Sequence, residues 1–226
     1  MRSYHFHKNR KNLSIGKIIC LARTYKKHAE EMKTNTPPNP LLFLKPASAV
    51  IFSGESIIYP KISHCVHHEV EMGIVIEKRA SNISKDKALD VVAGYVVGLD
   101  ITARDIQSIA KKNGWPWGIA KGFDTFAPIS DVVSVDDVDD PDDFSFKLWV
   151  NSKLRQQGET KNLIWNVKTL ISYISSIMTL EPGDLILTGT PEGVSEIRID
   201  DQITAELTGL INLSVDVKPF ISKEKN

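Results

Sequence analysis

The sequence predicts an α+β domain, and three observations carry that expectation. Short apolar runs bounded by Pro, Gly, Asn and Asp outnumber the amphipathic helical stretches. Runs and helices do not alternate regularly, which argues against a doubly wound parallel sheet. A sustained helical period of apolar residues is clearest at 166–180. With 42% hydrophobic and 25% charged residues, the 226-residue chain can bury a full core without disulfide staples. No repeat and no Gly/Ser linker divides it, so 1–226 is expected to be a single domain, with 1–15 as a short N-terminal extension.

Taken in order, a short polar helix is expected over 25–32, ended by the breaker segment TNTPPNP at 34–40. The runs 41–44, 57–59, 72–76 and 95–99 read as strands. Ser84 is placed to cap a helix over 85–92. Thr102 and Asp105 have capping-box spacing and open a helix that Gly114 stops. The runs 144–150 and 153–157, joined by Asn151-Ser152, read as a hairpin, and 184–187 and 203–217 add strands. Val167, Leu170, Ile171, Ile174, Ile177 and Met178 define the apolar face of a helix expected to cover a sheet. Trp115 and Trp117 are expected to pack rather than to shape a pocket.

Charge narrows the function classes. The 28 Lys+Arg balance 28 Asp+Glu, which argues against a protein that neutralises nucleic-acid phosphates or an anionic membrane. The basic start at 1–17 is not followed by an apolar run long enough for a signal peptide or a membrane span. Cys20 and Cys65 form no repeated spacing, so a cytoplasmic protein with free thiols is expected, although one bridge between them is not excluded. The aspartates at 136–143 lack the spacing of a calcium loop and read as a solvated loop.

The sharpest chemical signal is His67-His68-Glu69-Val70-Glu71-Met72. On a strand, Glu69 and Glu71 share a face, where two carboxylates repel unless a cation joins them. Asp100 ends the apolar run at 94–99 and supplies a third carboxylate. Such a set suits Mg²⁺ or Mn²⁺ and leaves positions for water or substrate. The same spacing also fits an exposed strand face whose glutamates pair with lysines. Arg104 and Gln107, at i and i+3, share a helix face and fit an anionic ligand, or equally a solvated helix. His28 and Glu31 have the spacing of a carboxylate-oriented imidazole base, a pairing that also arises by chance on helices.

These motifs, together with Tyr25-x-x-His28-x-x-Glu31, Phe43-Leu44-Lys45-Pro46, Ala120-Lys121-Gly122-Phe123-Asp124, Gly158-Glu159-Thr160 and Leu187-Thr188-Gly189-Thr190-Pro191-Glu192-Gly193-Val194, occur in an order and spacing that resembles the fumarylacetoacetate hydrolase family, closest to its short acylpyruvase and oxaloacetate decarboxylase type. The resemblance runs over about 16–217. It implies the family fold of mostly antiparallel or mixed β-layers with a few short helices, usually as a homodimer. It implies Mg²⁺ or Mn²⁺ on Glu69, Glu71 and Asp100, and a catalytic His28–Glu31 dyad that activates water. It implies that Arg104, Gln107, Lys121 and Thr190 contact a small 2-oxo acid, with Lys45 close by as a further substrate-binding residue and Lys121 also counted as catalytic. The expected activity is cleavage of a C–C bond in 2-oxo or β-diketo acids, by acylpyruvate hydrolysis or oxaloacetate decarboxylation through a pyruvate enolate. The alternatives are an isomerase, decarboxylase or hydratase of 2-hydroxy-dienoates and, from another class, a non-catalytic 2-oxo-acid-binding protein. One departure stands out: the family's Gly-Arg-Asn-Tyr is Ala22-Arg23-Thr24-Tyr25 here.

Overall fold

The strands Val70–Ile76 and Val92–Leu99 are buried along their whole length, so they form the middle of a sheet rather than a half-exposed edge. In a computed structural model, which describes residues 2–8, 11–31 and 35–221, they pair antiparallel with Glu71 opposite Gly98 and Val70 opposite Leu99. Around them an eight-stranded mixed sheet runs in the order Leu41–Lys45, Ile18–Ala22, Leu185–Leu187, Val70–Ile76, Val92–Leu99, Ala127–Ile129, Val50–Phe52, and Val133–Ser134 also pairs with Val92–Leu99. A second sheet of five strands, Lys153–Glu159, Ser145–Val150, Gln202–Leu207, Ile211–Pro219 and Ser56–Tyr59, contains the expected hairpin. Its turn places Asn151 and Ser152 at φ 49° and 64°, a conformation Asn tolerates better than most residues. A third, three-stranded sheet joins Ser195–Ile197, Val66–His68 and Thr102–Ala103.

The helix Val167–Ile177 begins at Asn166, whose side chain accepts a hydrogen bond from Thr169 N at 2.9 Å. It buries Val167, Leu170, Ile171 and Ile174, each worth roughly 1.5–3 kcal/mol of apolar burial. Tyr4 and Ile15, from the expected N-terminal extension, are buried against Ile18 and Val132 in a second apolar cluster. The aspartate-rich loop is held by its own backbone geometry: Asp140 accepts from Asp142 N, and Asp142 accepts from Val167 N, both at 2.9 Å.

Some local expectations change. Residues 85–91 form a 3₁₀ helix, not an α-helix, and Ser84 makes no side-chain cap. The helix Arg104–Asn113 has its N-cap at Ala103, one residue after the expected Thr102, and ends at Gly114 in the left-handed region, φ 67°. Thr102 turns away to donate to Asp100 O. The Asp105 carboxylate spans the turn to Ser63 Oγ at 2.7 Å and His64 N at 2.8 Å instead of closing a capping box. The early helix spans Lys26–Glu31, and its expected end at 32 lies outside the described residues. Among the described residues no helix is long and apolar enough to cross a membrane.

Candidate active site

Glu69 lies between Val66–His68, which belongs to the small sheet, and Val70–Ile76, which belongs to the large one. The chain crosses from one sheet to the other at that residue. Asp100, just past the end of Val92–Leu99, donates its backbone N–H to Glu69 O at 2.8 Å, so the two carboxylates leave the sheets side by side. Glu71 follows one register step into the large sheet. One oxygen from each of Glu69, Glu71 and Asp100 lies within 4.8 Å of the others, and the residues are 6%, 1% and 1% exposed. The exposed-face reading of the two glutamates is therefore excluded.

Three cations surround this cluster. Lys121 Nζ, buried, donates to Glu69 Oε2 at 2.9 Å and Asp100 Oδ2 at 2.5 Å. Arg104 pairs with the other oxygen of Glu69 and donates from Nη1 to Gln107 Oε1 at 2.7 Å. Lys45 stands behind Asp100 and donates to the carbonyl oxygens of Ile101, Lys121 and Phe126 at 2.9, 2.5 and 2.9 Å. Lys45 supports the cluster from within the core and is not among the residues that line the cavity.

Two features of the buried charge bear on a metal ion. Asp100 Oδ1 is 2.7 Å from Lys45 Nζ yet accepts no hydrogen bond, because the ammonium protons are committed to the carbonyls. Glu71 has no cationic partner among the described residues, and its Oε2 accepts only Gly189 N at 2.7 Å. Burial first, then Asp100 and Glu69, push the Glu71 carboxyl well above the usual carboxylate range. Glu69 behaves oppositely: burial raises it, but Lys121 and Arg104 outweigh burial and hold it well below that range. For Lys121, desolvation opposes the charge and Asp100 and Glu69 overcome it, so its pKa is raised. A buried carboxylate without a cation costs roughly 3–5 kcal/mol. Glu69, Glu71 and Asp100 would hold a hard divalent ion, whose charge would compensate the unpaired Glu71 and the incompletely partnered Asp100, so the donor set fits Mg²⁺ or Mn²⁺.

Glu69 and Glu71 line a cavity of about 40 Å³ together with His28, Arg104, Gln107, Lys121 and Thr190, while Asp100 supports them from outside the lining. Expected site residues from five separate segments thus converge here. His28 is 8% exposed, and burial is the main cause that lowers its pKa, so the imidazole is neutral near pH 7. Its Nδ1 lies 3.4 Å from Glu31 Oε2, and Glu31 in turn accepts Gly193 N at 3.2 Å. With Nδ1–H turned to the carboxylate, Nε2 is left as the basic nitrogen.

Further residues join the site. Trp117 lines the cavity, contrary to the expectation of packing, while Trp115 is 59% exposed on the outer surface. Lys111 also lines it, and its signal was present, because 104, 107 and 111 are i, i+3 and i+7 on one helix face. Desolvation and the nearby Arg104 bring Lys111 down to about 8. Arg23 lines the cavity with φ 60°, which no residue pattern announced. Thr24 is fully buried and donates to Thr188 O at 2.7 Å, tying the altered Ala22-Arg23-Thr24 turn to the loop that carries Gly189 and Thr190.

The model of the fumarylacetoacetate (FAA) hydrolase C-terminal family matches residues 17–218. The chain is 48% identical over 202 residues, 89% of its length and 91% of the relative's, to the mitochondrial oxaloacetate tautomerase FAHD1 of Arabidopsis thaliana. The crystal structure of fumarylpyruvate hydrolase from Pseudomonas aeruginosa in complex with Mn²⁺ and pyruvate superposes with a TM-score of 0.92 at 35% identity, covering 97% of this chain and 96% of that one. The 5-carboxymethyl-2-hydroxymuconate delta-isomerase of Mycobacterium smegmatis gives 0.82 at 36% identity, covering 93% and 82%. With its fold, its acidic cluster and a match over nearly its whole length, this chain belongs to the fumarylacetoacetate hydrolase family.

Proposed function

We propose that the chain is a divalent-metal-dependent enzyme that cleaves a C–C bond in small 2-oxo or β-diketo acids, by acylpyruvate hydrolysis or oxaloacetate decarboxylation. The observation that carries this reading is Glu71, a carboxylate 1% exposed and without a cationic partner among the described residues, which clusters with Glu69 and Asp100 and lines with Glu69 a cavity that also holds Arg104 and Lys121. When bound, Mg²⁺ or Mn²⁺ supplies Lewis-acid polarisation of a 2-oxo carboxylate. Arg104, with Gln107 fixed against it, and Lys121 supply positive charge and N–H donors for the carboxylate end of the substrate. Thr190 adds a hydroxyl contact. His28 takes a proton from water at Nε2 while Glu31 holds the opposite nitrogen, which directs attack to the distal ketone in hydrolysis. Decarboxylation needs no attacking water and so no proton transfer to His28.

A second reading has a specific observation behind it. The 48% identity to a relative named oxaloacetate tautomerase favours proton transfer at the carbon next to the ketone, which the same neutral His28 can perform without any bond cleavage. The test is turnover of acetylpyruvate and oxaloacetate, and keto–enol exchange of oxaloacetate, by metal-stripped and Mn²⁺-loaded protein, with His28→Ala beside the native chain. Metal-dependent cleavage that His28→Ala loses for acetylpyruvate but keeps for oxaloacetate supports the hydrolytic reading. Metal-dependent exchange without cleavage establishes the tautomerase reading. Absence of all three reactions in the loaded protein defeats both.

The proposal extends to assembly and compartment. A second copy is proposed to cover the apolar surface of Leu41, Leu44, Ile109, Trp115 and Ile119, which are 39–67% exposed on the elements that build the cavity. Sedimentation of native and Ile119→Asp protein tests it. Free Cys20 and Cys65 favour a reducing compartment, cytoplasmic in this reading.

A further inference from the structure

Beneath Thr190 lies a buried side chain that neither composition nor motif singled out. Gln156 is 1% exposed, on the strand Lys153–Glu159 of the five-stranded sheet. Its amide is held at four points. Val70 N donates to Oε1 at 3.0 Å, which identifies that atom as oxygen, because a backbone N–H can only donate. Nε2 lies 3.1 Å from Pro191 O, a carbonyl that can only accept, which identifies it as nitrogen. The amide orientation is therefore fixed twice over. Two consequences follow for its neighbours. His68 Nδ1, 2.8 Å from Oε1, must carry the proton of its ring and donate it, which leaves Nε2 to accept from Ser195 Oγ at 2.8 Å. On the other side, Nε2 donates to Thr190 Oγ1 at 2.8 Å.

That last bond decides what Thr190 can do. A hydroxyl that accepts from a fixed amide N–H keeps its own proton for another acceptor. Thr190, 4% exposed, lines the cavity above Glu69 and Glu71. We propose that Gln156 is a positioning residue that makes the Thr190 hydroxyl a dedicated hydrogen-bond donor to an anionic oxygen of the bound substrate. The inference rests on the proposed 2-oxo acid chemistry and deepens it: this position of the site takes an acceptor oxygen, such as a carboxylate or ketone oxygen, and disfavours a group that can only donate, such as an ammonium. The chain Val70–Gln156–Thr190 also links the position of that donor to the strand that carries Glu71.

The probe is oxalate, a small dianion of acceptor oxygens only, with binding followed by calorimetry in the presence of Mn²⁺. Gln156→Glu keeps the shape and the acceptor for Val70 N, but its carboxylate draws the Thr190 proton away from the cavity. Thr190→Val removes the hydroxyl, and Thr190→Ser keeps it. We expect Gln156→Glu and Thr190→Val each to weaken oxalate binding by about tenfold or more, the scale of one hydrogen bond to a charged group. The double variant should bind no more weakly than either single one, and Thr190→Ser should bind like the native chain. If Gln156→Glu does not fold, Gln156→Met, which lacks the amide altogether, must show the same loss and the same lack of additivity with Thr190→Val. Native-like binding by the Gln156 variant, or losses that multiply in the double variant, overturns the inference alone. A native chain that binds no oxalate with Mn²⁺ overturns the 2-oxo acid reading, and this inference with it.

Discussion

Thr24 and Gly189 interlock: Thr24 Oγ1 donates to Thr188 O at 2.7 Å, and a Cβ built on Gly189 would lie 1.9 Å from Thr24 Oγ1. Gly189 also has φ 95°, where a side chain is strained, and its N–H is the sole hydrogen-bond donor to Glu71 among the described residues. Gly189→Ala is therefore expected to lose more than ~2 kcal/mol of stability and to weaken Mn²⁺ binding, read by thermal unfolding and calorimetry. Thr24→Ala should cost only ~1 kcal/mol, the worth of one buried hydrogen bond. The double variant should be less destabilised than the sum of the two, because removing the hydroxyl relieves the clash. Strict additivity would show that the two residues are not coupled.

Glu71→Gln separates stability from metal binding. The buried carboxyl is pushed upward by desolvation, Asp100 and Glu69, so a neutral amide in its place removes repulsion. In chelator-treated protein Glu71→Gln should melt at or above the native temperature. With Mn²⁺ at about a hundred times its Kd, the native chain should gain ~2.7 kcal/mol, and the variant should gain almost nothing. An equal gain in both proteins would remove Glu71 from the metal site.

Lys121→Met tests the opposite side of the same balance. Lys121 bridges Glu69 and Asp100, and its loss leaves two buried carboxylates with less compensation. The metal-free variant should be destabilised by roughly 3–5 kcal/mol. Mn²⁺ should stabilise the variant more than it stabilises the native chain, since the ion then supplies charge that the ammonium no longer provides. Equal stabilisation of the two, measured by denaturant unfolding, would contradict this.

What the sequence revealed depended on how local the signal was. The apolar runs and the helix at 166–180 were legible because burial imposes periods of two and 3.6 on neighbouring residues. Glu69, Glu71 and Asp100 were legible as charge in places where strands should be apolar. Lys45 is expected at the substrate, yet it anchors Asp100 from inside the core, because which side of a carboxylate a lysine approaches is decided by packing far along the chain. The capping box at Thr102 failed because Ser63 and His64, about forty residues away, offer Asp105 better partners. Gln156 escaped notice for the same reason: its partners Val70 and Thr190 come from two other strands and loops, and no spacing within its own strand announces them.

His68 gives a pH signature of the fold. Burial, opposed in part by the hydrogen bond with Gln156, brings its pKa down to about 4, against about 6.5 for a free imidazole. The unfolded chain therefore binds a proton between these values that the folded chain refuses. Stability is complete above pH ~6.5 and falls as pH drops toward 4, by up to ~3 kcal/mol from this group. Burial also lowers His28 and His67, which act in the same direction over the upper part of that window. His68→Gln keeps a donor for Gln156 Oε1 and removes the titration, so its stability, lower at neutral pH, should decline less between pH 7 and 4 than that of the native chain. Urea unfolding across this range, with His28→Ala as the control that keeps His68, measures the difference in slope. Parallel profiles for the native and His68→Gln proteins would mean that His68 is not held neutral in the fold.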